Sequence, residues 1–135
     1  MHRNPVGLDD ATILDPRMRA LLKASGPINA TGALIFAPPF PWVREFFGLP
    51  GGHALYLWIL SIWILVFGIA YWSMGSSGRA DRTFLAVGAA GKASFALALL
   101  ALALQGQIPP LAAVVGLPDL VIAGVFAAWL RRTAA

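Results

Sequence analysis

One uncharged stretch, residues 54–74 (ALYLWILSIWILVFGIAYWSM), constrains the fold of this chain more than any other feature. A helix of about 20 residues crosses the roughly 30 Å hydrocarbon core of a bilayer. The stretch is apolar on every side, so no face is left for water, and we predict a transmembrane helix. Tyr56 and Trp58 lie near one end and Tyr71 and Trp72 near the other, as expected at two membrane interfaces.

The composition supports the same class of protein. Hydrophobic residues make up 59% of the chain and charged residues 12%, whereas a soluble domain carries about 25% charged residues. The net charge of +4 does not predict a nucleic-acid partner, because the basic residues lie at the ends of apolar segments rather than on one face. The chain has no cysteine, which excludes disulfides, thiolate metal sites and thiol catalysis.

Two further apolar segments follow, at residues 84–104 and 108–130, separated only by a short Gln-Gly-Gln turn. They predict an antiparallel hairpin of membrane helices. The first of the two carries Lys92, and the second is broken by Pro118 and carries Asp119.

Residues 17–37 are less apolar and contain Lys23 and Pro27. Pro27 predicts either a kink or the start of the helix. The favoured interpretation is a kinked span whose Lys23 extends towards the inner surface; the alternative is a re-entrant or interfacial segment, which leaves three spans. Residues 1–16 mix acidic and basic side chains and lack an early apolar run, so they predict a cytoplasmic tail rather than a signal peptide.

The distribution of the basic residues along the chain supports four spans. The amino-terminal region, the second loop and the carboxyl terminus hold Arg3, Arg17, Arg19, Lys23, Arg79, Arg82, Arg131 and Arg132. The first loop holds only Arg44, and the third holds none. Because basic loops stay in the cytoplasm, we predict an all-α integral membrane four-helix bundle over residues 17–132. Both termini are expected in the cytoplasm, and the location is expected to be a bacterial inner membrane.

The first loop, residues 38–53, is rich in proline and aromatic residues, which predicts a short amphipathic turn in the outer headgroup region. The candidate outer interface comprises Phe40, Trp42, Glu45, Phe46, Phe47 and His53.

Lys92 and Asp119 are the sharpest candidates for a site. A charge within a span costs about 2.5–3.5 kcal/mol on insertion scales, and opposite charges at similar depth on adjacent antiparallel helices predict a contact. Small flanking residues such as Gly88 and Gly116 allow close approach. Three interpretations stay open. The pair locks two helices together, Lys92 extends alone to the inner interface, or the pair forms a polar site for a ligand, proton or substrate, with Asn29 and Thr31 as further members.

No catalytic residue or metal ligand is predicted. The two histidines, His2 and His53, do not form a metal site, and Ser61 and Ser94 have no histidine nearby in the sequence to act as a base. Enzymatic activity stays open but is not favoured. No cofactor is predicted, although a bound lipid, quinone or pigment is compatible with a site for a lipid-soluble small molecule.

The pattern resembles small bacterial four-helix membrane proteins, the DoxX-like and related uncharacterised families. The elements that carry the resemblance are Asn29-Ala30-Thr31-Gly32, Gly48-Leu49-Pro50, Gly91-Lys92 and Asp119-Leu120. The resemblance covers most of the chain and implies a four-helix bundle; for most such proteins it implies no established activity, and no functional residue follows from it.

Two functions are expected from these features. The first is an accessory or assembly subunit, whose partners are the lipid bilayer and other membrane subunits or further copies of itself. The alternative is a membrane enzyme or carrier for a lipid-soluble small molecule, in which Lys92 and Asp119 act as an acid–base or proton-relay pair and Asn29 and Thr31 line the pocket.

Overall fold

The computed structural model describes residues 11–134, and the chain is mostly helical. In chain order the elements are β1 (Ala11–Ile13), α1 (Pro16–Phe36), α2 (Pro41–Phe46), α3 (Ala54–Ser77), β2 (Arg79–Asp81), α4 (Arg82–Leu104), α5 (Pro110–Val114) and α6 (Leu117–Arg132). Residues 1–10 of the predicted tail lie outside this range; residues 11–13 of the tail form strand β1, and its last residue, Pro16, begins α1.

Among residues 11–134, three helical segments are long and apolar enough to cross a membrane: α3, α4, and α5 together with α6. This finding makes the chain a membrane protein of the helical class. The helix ends differ slightly from the predicted ones for local reasons. Helix α3 continues to Ser77 because Gly78 adopts the left-handed conformation that ends it. Helix α4 begins at Arg82 because the Asp81 carboxylate accepts a hydrogen bond from the Phe84 amide.

Helix α1 runs without interruption from Pro16 to Phe36, about 30 Å at 1.5 Å per residue. The Asp15 carboxylate caps its first turn by accepting from the amides of Arg17 and Met18. Pro27 lies inside the helix and does not end it. Helix α1 is not among the three apolar segments.

Helices α1 and α3 pack against each other, and so do α4 and α6. Glycines bring the backbones together. A Cβ on Gly68 of α3 would lie 2.6 Å from the Asn29 Cβ of α1, and one on Gly116 would lie 2.9 Å from the Ala96 Cα of α4. Small residues permit such close approach between membrane helices, where packing drives association.

Two apolar clusters hold the helix pairs together. The first cluster consists of Leu14, Met18, Leu22, Tyr71, Ala80, Leu85, Ile122, Phe126 and Trp129. The second cluster consists of Ile35, Phe36, Leu49, Leu99, Ile108 and Ala112. The first draws on the beginning of α1 and the end of α6, and the second on the end of α1 and on α5. The clusters therefore lie towards opposite ends of the helices.

The end of the molecule at the first cluster is closed by backbone and arginine contacts. Strands β1 and β2 pair antiparallel, so the chain before α1 is joined to the connection between α3 and α4. Arg19 donates to the carbonyls of Gly75 and Ser76 at the end of α3, both at 2.8 Å. Arg82 donates to the Leu130 carbonyl near the end of α6 at 2.7 Å. Basic side chains at these sites bind carbonyls that a helix end leaves without partners.

The opposite end is covered by the first loop. Helix α2 and the residues after it lie over the turn between α4 and α5, where Gly48 contacts Pro109. Gly48 has a φ of 71°, so both its backbone conformation and the nearby proline ring require a residue without a side chain.

Candidate functional site

Lys92 is the centre of a buried polar cluster. It lies on α4 and is only 7% exposed. Its Nζ atom is 2.5 Å from Asp119 Oδ1 and donates to Asn29 Oδ1 at 2.9 Å. The same atom lies 5.4 Å from the centroid of the Tyr71 ring, a distance at which the ring face attracts a cation. The contact between Lys92 and Asp119 that the sequence predicts is therefore present, and two more helices contribute to it.

Asp119 lies in the first turn of α6, not in the middle of a continuous helix. The chain leaves the helical ladder at Val115 and Gly116, and α6 begins at Leu117. Pro118 fits at the second helical position, since an amide in the first turn has no partner within the helix. The positive end of the α6 dipole favours a carboxylate here. The predicted break is thus real, but it lies just before Pro118.

Asn29 connects the charge pair to α3. Its Nδ2 donates to the Ile64 carbonyl at 2.9 Å, while its Oδ1 accepts from Lys92. Gly68 makes this possible, because any side chain at that position would meet the Asn29 Cβ. Both ends of the amide are used, so the side chain is fixed in one orientation.

Tyr71 is the member of the cluster that sequence reasoning missed. The sequence suggests a lipid-facing residue at the interface, but Tyr71 is 1% exposed and its hydroxyl packs on Gly88 of α4. Since α3 continues to Ser77, Tyr71 lies about 9 Å inside the helix end. The residues directly after Trp72 are also uncharged. They indicate that the helix continues and that Tyr71 does not lie at its end.

Thr31 does not join the polar cluster. Its hydroxyl donates to the Pro27 carbonyl of its own helix at 3.0 Å, and the residue is exposed. It does line the cavity that borders the cluster, so of the four predicted site residues three meet at Lys92 and one lies nearby.

A cavity of about 590 Å³ borders this cluster, and its lining includes Tyr71 of the first apolar cluster and Ile35 and Phe36 of the second. Its wall is mainly apolar and aromatic and includes Ile28, Gly32, Trp63, Phe67, Gly91 and Phe95, with Asn29, Tyr71, Lys92 and Asp119 as polar members. Several wall residues are exposed on the outside of the helices, among them Trp63 at 58% and Val114 at 49%. The cavity therefore reaches the lateral surface of the protein.

Two polar atoms at the cavity remain available. Within residues 11–134, neither the second carboxylate oxygen of Asp119 nor the Tyr71 hydroxyl has a hydrogen-bond partner. Lys92 already donates to two oxygens and faces an aromatic ring. The cluster as a whole is neutral, and it presents a hydrogen-bond acceptor to the cavity.

The predicted outer residues are partly exposed. Trp42 and Phe46 are 67% and 71% exposed, whereas Phe47 packs against the second cluster and lines the cavity. His53 caps α3 by accepting from the Leu55 amide at 3.1 Å. Phe40 and Glu45 are exposed. In the described part of the chain, no group of three or more potential metal ligands occurs.

Comparison with family models, curated proteins and solved structures found no match to this chain. The class of helical membrane protein, defined by three apolar helices and a polar cluster beside a cavity, thus rests on the chain's own residues.

Proposed function

We propose that this protein binds a lipid-soluble small molecule inside the membrane, in the cavity beside Lys92 and Asp119. The observation that carries the proposal is the combination of a largely apolar cavity with a convergent polar cluster in its wall. Ligand sites in proteins have volumes of about 300–1,000 Å³ and this composition. The cavity, at about 590 Å³, falls within that range.

The buried charges support a role beyond packing. Charged residues are rare inside membrane segments because of their cost, and they mark ligand and ion sites there. A structural lock between α4 and α6 needs only the ion pair. Here Asn29 from α1 and Tyr71 from α3 also converge on Lys92, which gives the cavity a polar wall drawn from all four longer helices.

The proposed topology has four transmembrane helices, formed by α1, α3, α4 and the α5–α6 segment, with both termini in the cytoplasm of a bacterial cell. The β1–β2 pair and the Arg82 contact bring the amino-terminal region, the second loop and the carboxyl terminus to one end. These are the basic segments of the chain, and basic segments remain in the cytoplasm. In this topology the exposed cavity wall faces lipid, so a ligand enters sideways from the bilayer.

Extraction of small molecules from detergent-purified protein tests the proposal. Organic extracts analysed by mass spectrometry should contain one compound in stoichiometric amount. Gly91→Leu should displace it, because Gly91 lines the cavity and a Cβ there meets no atom within 4 Å. The matched control is Gly124→Leu on α6, where a Cβ also meets nothing within 4 Å and the residue does not line the cavity. Equal retention by the two variants would contradict a ligand in this cavity.

The second candidate function is an accessory or assembly subunit of a larger membrane complex. The exposed aromatic side chains of Trp42 and Phe46 on α2 support it, since they offer a surface to a partner. A large assembly of defined composition after gentle detergent extraction, with no stoichiometric small molecule, would favour this function over ligand binding. The cavity gives ligand binding the stronger physical basis.

A further inference from the structure

We infer that the ligand is a neutral lipid-soluble molecule that carries a hydroxyl group, and that this hydroxyl donates a hydrogen bond to the free carboxylate oxygen of Asp119. The inference rests on the proposed function and adds the chemical class of the ligand. It follows from which polar atoms of the cluster are already bound and which remain available.

The protein atoms at the cavity select for a donor. Lys92 donates to Asp119 Oδ1 and Asn29 Oδ1 and faces the Tyr71 ring, so its three protons are directed at protein groups. The second oxygen of Asp119 accepts nothing from residues 11–134, and the side chain is 22% exposed. An ionised carboxylate can only accept. A ligand group that satisfies this oxygen must therefore carry an O–H or N–H.

The charge balance selects a neutral ligand. Lys92 and Asp119 compensate each other, so an anionic head group such as a carboxylate would be repelled by Asp119 and would leave the site with an unpaired negative charge. A cationic amine would leave it with an unpaired positive charge. A hydroxyl adds no charge and donates to Asp119, so it satisfies the free carboxylate oxygen without disturbing the ion pair.

The apolar residues of the cavity wall indicate the chemistry of the rest of the ligand. Trp63, Phe67 and Phe95 line the cavity, and the wall continues to the exposed side chains of Ile28 and Val114. An extended apolar body therefore occupies the cavity and continues into the lipid, while the hydroxyl lies at the polar cluster.

Native mass spectrometry with four matched probes tests the inference. The probes are 1-octadecanol, its methyl ether, stearate and octadecylammonium, which share one chain and differ only in the head group. The purified protein should bind the alcohol with one molecule per chain and about tenfold or more tighter than the ether, because only the alcohol donates to the carboxylate. Stearate and octadecylammonium should bind more weakly than the alcohol.

Three variants separate the inference from the proposed function. Gly91→Leu should weaken all four probes, and Gly124→Leu should weaken none. The double variant Lys92→Met/Asp119→Leu keeps the cavity neutral and removes the carboxylate. Its preference for the alcohol over the ether should be much smaller, because only the neutral acceptor Asn29 Oδ1 remains at the cavity. Equal binding of alcohol and ether by the unmodified protein, or a preference for stearate, would overturn the inference and leave the proposed function in place. Absence of binding for every probe, or binding that Gly91→Leu leaves unchanged, would overturn both.

Discussion

Removing one member of the Lys92–Asp119 pair should destabilise the protein more than removing both. Taking away one partner of a buried ion pair costs about 3–5 kcal/mol, because the remaining charge keeps its desolvation cost. In the double variant Lys92→Met/Asp119→Leu no buried charge remains. The main cost is then the unpaired Asn29 Oδ1, about 1–3 kcal/mol.

The contacts around the pair predict which single variant is worse. After Asp119→Leu, Lys92 keeps its bond to Asn29, about 1.5–3 kcal/mol for a charged group, and the face of Tyr71, about 0.5–2 kcal/mol. After Lys92→Met, Asp119 keeps only its favourable interaction with the dipole at the amino-terminal end of α6, which contributes about 0.3–1 kcal/mol. We therefore expect the destabilisation by Lys92→Met to lie near the upper end of the range of about 3–5 kcal/mol, and that by Asp119→Leu near the lower end.

The measurement is the free energy of unfolding from sodium dodecyl sulfate titrations in mixed micelles, followed by circular dichroism. Ser94→Met serves as the control on α4, since Ser94 is exposed and bonds only to the Gly91 carbonyl of its own helix. If the effects of Lys92→Met and Asp119→Leu simply add in the double variant, the two residues are not coupled and the reasoning fails. A double variant that folds but has lost its ligand would assign the pair to the site as well as to the fold.

The other predictions concern topology, the outer loop, a glycine contact and a helix cap. Reporter fusions should read outside, inside, outside and inside in turn at Gly48, Ser76, Gln107 and Ala135, and an outside reading at the last would refute the topology. Spin labels in the first loop should report contact with headgroups or a partner, and free aqueous mobility at every label would refute that contact; the positions are Phe40, Trp42, Phe46 and Phe47. Gly88→Ala should lower the melting temperature because its Cβ meets the Tyr71 hydroxyl, and Tyr71→Phe should restore part of the loss; no change in melting temperature for Gly88→Ala would argue against this packing. The Met18 amide lowers the pKa of Asp15 below 3.8, so Asp15 stabilises the fold above that pH and the contribution is lost as the pH falls through the lowered value; an Asp15→Ala variant with an unchanged acid transition would contradict this.

The apolar helices and the charge pair could be predicted because each depends on a short piece of sequence. An uncharged stretch of about 20 residues is stable in a bilayer as a transmembrane helix. The short turn between α4 and α5 makes α4 antiparallel to the α5–α6 segment. Opposite charges on two such helices then have few other partners at their depth. The contact between Lys92 and Asp119 follows from these local facts alone.

The other two members of the cluster depend on how the helices rotate against one another, which the sequence does not encode as a pattern. Helix α3 is apolar on every side, so no periodicity distinguishes the face of Tyr71 from the face of Trp72. Glycines on the partner helices determine which face of each helix packs inward. Gly88 accommodates the Tyr71 hydroxyl, and Gly68 accommodates Asn29. The β1–β2 pair was equally hidden, because strands of 3 residues are too short to show an alternating pattern.

The contact between Asn29 and Lys92 also has a consequence for biogenesis. Asn29 precedes Lys92 by 63 residues, and Asp119 follows it by 27. At about 5–20 residues per second, the ribosome delivers Asp119 roughly 1–5 s after Lys92. During that interval α1 and α3 are already made, and Asn29 Oδ1 is the acceptor on these helices to which Lys92 donates in the finished fold. We expect Asn29 to hold the lysine in the nascent protein until its carboxylate arrives, so that substitution of Asn29 lowers the insertion efficiency of α4 more than it lowers the stability of the finished fold.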